Sequence, residues 1–450
     1  MPANDDDTLL PFSLPSLCGK KITAAFDGGT ISSDGGVILL AGADKRLGLI
    51  ERLAALIPDD RDPNQITHTM ADLMRARVFA IACGYPDAND LDTLRTDPVF
   101  KLACGRLPES GIDLTSQPTV SRLENTPDLR TLIRLNHALV DLWCRSCRRP
   151  PEAITLDVDD TADTVHGHQQ LALFNAHYDE RCFLPIHVYD VASGHCVMTA
   201  LRPGKTPDGK EVRAHLRRLV RRIRRHWPNT RITIRGDSHY GRLEAMDWCE
   251  RNDVQYIFGL STNTALAALV EIKADAVRAR RATGEQTTVR DYTETTYAAK
   301  SWSQARRVVA RMEATPRGLD IRYVVTNITR CAPQWVYESL YCARGAAENL
   351  IKRHKSQLAS DRTSCRSPLA NQMRLFLHTV AYWLMLAVHD AIPAPQPLAN
   401  RDFSSLRLRL LKVAVRIKET ASRITLAFTA ACPDAALFRG LVGTLLPRPT

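Results

Sequence analysis

Ala153-Ile-Thr-Leu-Asp-Val-Asp159 marks a change in the pattern of the chain. Upstream, from Leu47 to about residue 148, apolar residues recur at helical intervals with short polar breaks. From Ala153 they alternate residue by residue, the period of a half-buried strand. Two further strand-like runs, Cys182 to Val191 and Cys196 to Leu201, are joined by the turn Ala192-Ser-Gly194, which predicts a three-stranded meander. An amphipathic helix follows, with an apolar stripe of Leu216, Leu219, Val220 and Ile223. Arg213, Arg217, Arg218, Arg221, Arg222, Arg224 and Arg225 surround that stripe, as a solvated belt or as a surface for phosphates. Strand Arg231-Ile-Thr-Ile-Arg-Gly-Asp237, a helix over about 241–252 and strand Gln255-Tyr-Ile-Phe-Gly259 complete the order β-β-β-α-β-α-β, an α/β fold.

Outside this core the signals are more local. Residues 20–40 alternate around Asp27-Gly-Gly29 and Asp34-Gly-Gly36, which predicts a hairpin before a helical run from Leu47 to Leu56. Ser116-Gln-Pro-Thr-Val-Ser-Arg-Leu-Glu-Asn125 reads as a helix start with a polar cap and an early proline. Its polar side, with Thr119, Ser121, Arg122 and Asn125, fits the second helix of a helix-turn-helix as well as it fits a capped surface helix. Residues 262–335 combine a helical opening with Thr/Tyr/Val-rich runs, Ser303 to Met312 and Ile321 to Thr326, and predict a β-rich insertion. A long helix resumes near Val336. Residues 401–450 form a basic tail with nine basic and three acidic side chains.

Composition narrows the partners. The 450 residues are 44% hydrophobic, enough for a sizeable core and more than one domain. Sixty Lys and Arg against 49 Asp and Glu give a formal charge of +11, which favours a polyanion, nucleic acid before a ribosomal or membrane surface. Twelve cysteines are scattered through apolar runs, unlike a secreted disulfide scaffold, and suggest a reducing cytoplasm. Cys144-Arg-Ser-Cys147 has zinc-knuckle spacing but lacks the partner pair that a four-ligand site needs. Met1-Pro-Ala-Asn-Asp-Asp-Asp7 is acidic where a secretory signal would be basic, and the apolar run Leu375–Val388 is short for a membrane span.

Three carboxylates stand out: Asp159 and Asp237, each closing an apolar strand, and Glu348 on the later helix. Metal-assisted phosphodiester cleavage uses two divalent ions about 4 Å apart, clamped by carboxylates converging from separate elements. Glu348 has companions in Tyr341-x2-Arg344-x3-Glu348-x6-Lys355, whose offsets return to nearly one helix face. A carboxylate beside a guanidinium, an ammonium and a phenol suits a metal next to a phosphate. At the first position Asp157, Asp159 and Asp160 compete, and strand alternation puts Asp157 and Asp159 on one face. Asp159 is the first choice, with Asp157 or Asp163 behind it in support.

These motifs resemble the DDE transposases of bacterial insertion sequences that carry a Y-R-E-K signature, in particular the group called thirteen-eighty in insertion-sequence nomenclature. The resemblance spans most of the chain. It rests on Leu156-Asp-Val-Asp-Asp-Thr161 with His166-Gly167, on Arg235-Gly-Asp-Ser-His-Tyr-Gly241, on Tyr341, Arg344, Glu348 and Lys355, and on Phe26-Asp-Gly-Gly29. It implies an RNase H-like core, a mixed sheet flanked by helices, with a β-strand insertion between the second Asp and the Glu. The spacings of 78 residues from Asp159 to Asp237 and 111 from Asp237 to Glu348 leave room for it. The expected organisation is a mainly helical DNA-binding region over 1–148, core over 149–261, insertion over 262–335, the core's second part with the Glu helix over 336–400, and the tail over 401–450.

The resemblance further implies Asp159, Asp237 and Glu348 as catalytic ligands of two Mg²⁺ ions, for which Mn²⁺ can substitute. Tyr341, Arg344 and Lys355 then touch DNA phosphates, and Trp302 in the insertion is either a stacking platform for a flipped base or a core side chain; Arg122 joins the DNA surface on the helix-turn-helix reading of 116–125. The implied partners are the transposon's terminal inverted repeats and target DNA, bound by a homodimer in the bacterial cytoplasm at the nucleoid. Two other readings stay open here. A DNA-binding derivative that no longer cuts would look similar while its triad persists. Asp157-x-Asp159-x-Thr161 also fits an aspartyl-phosphate phosphatase with Asp157 as nucleophile, although that leaves the Tyr341–Lys355 pattern unexplained.

Overall fold

The computed structural model describes residues 11–446, so the acidic stretch Met1–Asp7 lies outside the described residues. The chain divides into two compact units. Among the described residues, one comprises 11–54, 60–122 and 387–446; the other comprises 55–59 and 123–386.

The second unit is built on an eight-stranded sheet. Its strands are β1 (Ala153–Asp160), β2 (Ile186–Asp190), β3 (His195–Ala200), β4 (Arg231–Gly236), β5 (Val254–Leu260), β6 (Val289–Tyr297), β7 (Arg306–Thr315) and β8 (Gly318–Thr326). The spatial order is β6-β7-β8-β5-β4-β1-β2-β3. Strand β4 runs parallel to both β1 and β5, whereas β2 is antiparallel to β1 and β3 antiparallel to β2. The central strands bury Leu156, Val158, Ile232, Ile234, Tyr256 and Phe258. A near-continuous apolar run is what a parallel strand covered on both faces requires.

Helices α1 (Leu129–Ser146), α2 (Gly209–Arg224), α3 (Leu243–Arg251) and α4 (Thr264–Thr283) accompany the sheet. Asp128 and Asp208 cap α1 and α2, each accepting a backbone N–H of the first turn. The apolar stripe of α2 is buried as expected, while Arg213, Arg217, Arg218, Arg221 and Arg225 are exposed. Helix Pro368–Asp390 carries the run Leu375–Val388 as a buried helix: Trp383 Nε1 donates to the Cys196 carbonyl at 2.8 Å and Tyr382 Oη to that of Gly194 at 2.8 Å. No helix among the described residues is long and apolar enough to cross a membrane.

Two expectations for this unit need correction. The run Cys182–Val191 is not one strand. Leu184-Pro185 breaks it, Pro185 offering no N–H to a ladder, and Glu180–Phe183 belongs to a separate three-stranded sheet with Asp163–Thr164 and Leu173–Asn175. Residues 262–335 do contain three strands, but these extend the main sheet, β8 pairing antiparallel with β5, and follow the 20-residue helix α4.

In the first unit, the hairpin expected in 20–40 lies earlier. Phe12–Leu17 pairs with Lys20–Ala24 around Cys18-Gly19, both in the left-handed region. Asp34-Gly-Gly36 instead leads into helix Val37–Leu47, which begins ten residues before the expected run and stops at Gly48, a left-handed cap with φ of 59°. A Cβ on Gly36 would lie 1.8 Å from the Leu410 carbonyl oxygen, so this glycine serves close backbone approach. The stretch expected as a tail folds here too: Val415–Thr420 pairs with Arg423–Phe428 and with Ile31–Ser32. Buried Asp34 anchors it, accepting from Lys412 Nζ at 2.6 Å and Tyr85 Oη at 2.9 Å.

Candidate active site

Strands β1 and β4 lie side by side, parallel and in register through Val158 and Gly236. The next residues, Asp159 and Asp237, therefore leave the carboxyl ends of neighbouring strands, whose axes are about 4.8 Å apart in any sheet. Burial, then the negative charges of Asp237 and Asp160, push the Asp159 carboxyl up to about 7 against the opposing pull of Arg344. Asp237 is raised as well, chiefly by burial, with His239 opposing. The Asp237 side chain caps its own turn, Oδ1 accepting from the His239 backbone N–H at 2.8 Å.

The segment with Glu348 is not one uniform helix. A π-helical turn over Trp335–Tyr341 tightens into a 3₁₀ turn over Cys342–Arg344, continues as α5 (Gly345–Lys352) and widens again over Arg353–Gln357. Three residues per 3₁₀ turn and 3.6 per α turn bring Arg344 back over Tyr341, and Glu348 back near Arg344. Arg344 donates to Asp159 Oδ2 at 2.7 Å and lies 3.6 Å from Glu348 Oε1. One guanidinium thus spans the first and third carboxylates. The Glu348 side chain is 65% exposed, and the three acids do not meet within 4.8 Å: among the described residues the trio of His, Cys, Asp or Glu that does is His187, Cys196 and His354.

Tyr341 packs on Gly259 of β5, where a Cβ would lie 2.8 Å from the phenol oxygen, 3.0 Å from the Ser238 nitrogen and 3.2 Å from the Asp237 carbonyl carbon. Lys355 is not directed with Arg344 and Glu348. Its amine donates to Thr161 Oγ1 at 3.2 Å and to the Ala162 carbonyl, and lies 3.9 Å from buried Asp163. It ties down the segment that follows Asp160.

Asp157 is 0% exposed and both its oxygens are taken by Arg235, one of them at 2.6 Å from Nη2. Arg235 Nη1 also donates to the Leu340 carbonyl at 2.6 Å, fastening β4 to the turn before Tyr341. A carboxylate so enclosed cannot attack a substrate, which removes the phosphatase reading. Asp160 points to the other side, accepting from His239 Nδ1 at 3.1 Å and Tyr240 Oη at 3.3 Å. That hydrogen bond raises the His239 imidazole.

The remaining expected residues lie elsewhere. Arg122 is exposed on helix Gln117–Asn125, whose apolar side buries Val120 and Leu123. Trp302 sits half-buried in the β6–β7 turn, edge-on to Tyr297, with the Arg306 guanidinium 5.3 Å above its ring. Sequence reasoning missed Tyr178, a partly exposed phenol raised by burial and by the charges of Asp160, Asp159 and Asp237. It also missed the supporting roles of His239, Tyr240 and Gly259. His239 and Tyr240 stand in the quoted motif; Gly259 carried no signal beyond its place at a strand end.

The family model described as "Transposase DDE domain group 1" matches residues 14–449. No curated protein matches the chain. Among solved structures, the chain is similar to one titled "Cryo-EM structure of piggyBac transposase synaptic complex with hairpin DNA (SNHP)", with 12% identity and a TM-score of 0.40 over 93% of this chain and 86% of that one.

Proposed function

The chain belongs to the transposase DDE domain family, group 1, and from that premise we propose that Asp159, Asp237 and Glu348 are the carboxylates with which it cuts and joins DNA. DNA transposition is its function and phosphodiester chemistry its activity. The observation that carries the assignment is the juxtaposition of Asp159 and Asp237 at neighbouring parallel strand ends, with Arg344 spanning from Asp159 to Glu348.

The site suits a divalent cation. Its donors are oxygens, the set that hard ions such as Mg²⁺ take. Asp159 is held near 7 by burial and by like charges, a strain that a cation relieves. When bound, the metal supplies Lewis acidity and makes water a nucleophile at neutral pH. We read it as two Mg²⁺ ions on Asp159, Asp237 and Glu348, with Mn²⁺ able to substitute. The chain's own groups do the rest. Arg344 neutralises Asp159 and Glu348 until cations do so, and is then available to a DNA phosphate. Asp157 and Arg235 hold β1 and β4 in register and fix the turn before Tyr341. His239 and Tyr240 keep Asp160 turned away from Asp159. Tyr341 completes the phosphate contacts, Lys355 reaches a phosphate only on leaving Thr161 and Ala162, and Arg122 and Trp302 belong to the wider DNA surface.

The five strands β3-β2-β1-β4-β5, the first three in sequence antiparallel and the last two parallel to β1, support an RNase H-like core. The Tyr341, Arg344, Glu348 and Lys355 spacing supports the thirteen-eighty insertion-sequence group, acting as a dimer on terminal inverted repeats in a bacterial cell. An excision and integration assay tests the function: a marker flanked by the gene's own ends, with the chain supplied in trans. Wild type moves the marker and Glu348→Gln does not. Movement undiminished by Glu348→Gln would remove Glu348 from the site, and no movement with any protein would leave a DNA-binding derivative.

A further inference from the structure

On strands β2 and β3 and the turn after α5, His187, Cys196 and His354 are buried together, with His187 opposite Asp159 across the β1–β2 ladder. One nitrogen from each imidazole and the thiol sulfur lie within 4.8 Å of one another. Tetrahedral zinc with Zn–N of about 2.0 Å and Zn–S of about 2.3 Å sets two nitrogens and a sulfur about 3.3–3.5 Å apart, so side-chain shifts of up to about 0.8 Å close the gap. From the alternative metals, two imidazoles with one thiolate select zinc over magnesium or calcium.

Three local irregularities converge on this point. The register between β2 and β3 slips after Val188: His187 faces Thr199, but Tyr189 faces Cys196. The extra residue turns Cys196 to the face of His187, whereas a regular ladder would put it on the other. Bulges redirect side chains in this way and cluster at functional positions. His354 lies on the π-helical turn Arg353–Gln357, another irregularity common at such positions. Finally, His187 Nδ1 is buried without a hydrogen-bond partner, a costly state for a polar atom.

We propose that His187, Cys196 and His354 bind a zinc ion that clamps the turn after α5 to strands β2 and β3. His354 already has the outer partner that a metal-bound imidazole uses, since Nδ1 lies 2.7 Å from Ser360 Oγ. A water supplies the fourth ligand, and Nε2 exchanges its present hydrogen bond to Thr379 Oγ1, at 3.0 Å, for the ion. Both imidazoles are buried, which favours the neutral form that donates to a metal. Burial also raises the Cys196 thiol to about 12. Zinc therefore binds by displacing the thiol proton to solvent, one proton per ion. The ion has its own donor set beside the catalytic carboxylates, and its consequence is mechanical: it fixes the segment that carries Glu348 and Lys355.

The test uses the full chain without an affinity tag, purified with zinc and without strong chelator. Metal analysis is expected to give about one zinc per chain, unchanged in Asp237→Asn and Cys144→Ser and lost in Cys196→Ser and His187→Gln. Should those variants fail to fold, Co²⁺ exchanged into the wild type answers alone: a thiolate-to-cobalt band in the near ultraviolet with intense tetrahedral bands in the visible supports the site. Wild type without stoichiometric zinc and without a thiolate band, or zinc retained in a folded Cys196→Ser, overturns it.

Discussion

Asp157 and Asp237 both neighbour Asp159 at the paired strands β1 and β4, yet removing their charges has opposite consequences. Asp157→Ala leaves Arg235 buried, its guanidinium deprived of two carboxylate oxygens and still tethered to the Leu340 carbonyl. Breaking a buried pair on one side costs about 3–5 kcal/mol. For a unit of this size about 2 °C is lost per kcal/mol, which gives a fall in melting temperature of roughly 6–10 °C. Asp237→Asn instead removes one of the negative charges that raise Asp159, so the metal-free protein keeps or gains stability while cutting is lost. Thermal unfolding of the metal-free chain followed by circular dichroism, beside cleavage of an end-bearing duplex, reads both axes. A stable, inactive Asp157→Ala together with a destabilised Asp237→Asn would refute the division of labour argued here.

Other consequences are as direct. Gly259→Ala drives a methyl group against Tyr341 and the backbone of Asp237 and Ser238, and is expected to lower cleavage by about 10²-fold with DNA affinity retained, the scale of a 1 Å misplacement. Because the Asp159 carboxyl sits near 7, protons compete with cations there: metal affinity, followed by calorimetry, rises with pH through about 6–8, and Asp159→Asn abolishes that slope. The sign for folding is the reverse. A carboxyl raised above its unfolded value stabilises the metal-free fold at low pH, and that contribution is lost as pH climbs from about 4 to about 7, visible as a falling melting temperature. Lys355→Met removes the cation nearest buried Asp163, which is already raised by burial, and unfastens Thr161 and Ala162; cleavage and thermal stability are expected to fall together, whereas a pure phosphate contact would lower DNA affinity alone.

The strand-end places of Asp159 and Asp237 were legible because each ends an apolar run that reads as a buried strand, and the helical place of Glu348 because its companions recur at helical spacing. What the runs could not convey is partnership across the sheet. Asp157 and Asp159 share a face by alternation, and it takes Arg235, opposite Asp157 in the β1–β4 ladder, to remove Asp157 from the chemistry. Helical spacing assumed one winding from Tyr341 to Lys355. The observed π and 3₁₀ turns keep Arg344 near Glu348 but send the Lys355 amine to Thr161 and Ala162. Similarly, Asp34-Gly-Gly36 signals a tight backbone, and only the facing residues Leu410 to Val413 decide that it opens a helix and not a hairpin. The bulge that turns Cys196 inward leaves no mark in a sequence whose strands read as regular.

On the proposed function, one centre, formed by Asp159, Asp237 and Glu348 about Arg344, breaks the phosphodiester bond with a divalent ion. The most direct measurement is cleavage of a labelled duplex bearing the gene's flanking ends, in Mg²⁺ or EDTA, by wild type, Asp159→Asn, Asp237→Asn and Glu348→Gln, with DNA binding measured on the same samples. Wild type is expected to make metal-dependent cuts at the end, and all three variants to bind without cutting. Cleavage persisting in any one of them, at wild-type rate and in Mg²⁺, would contradict it.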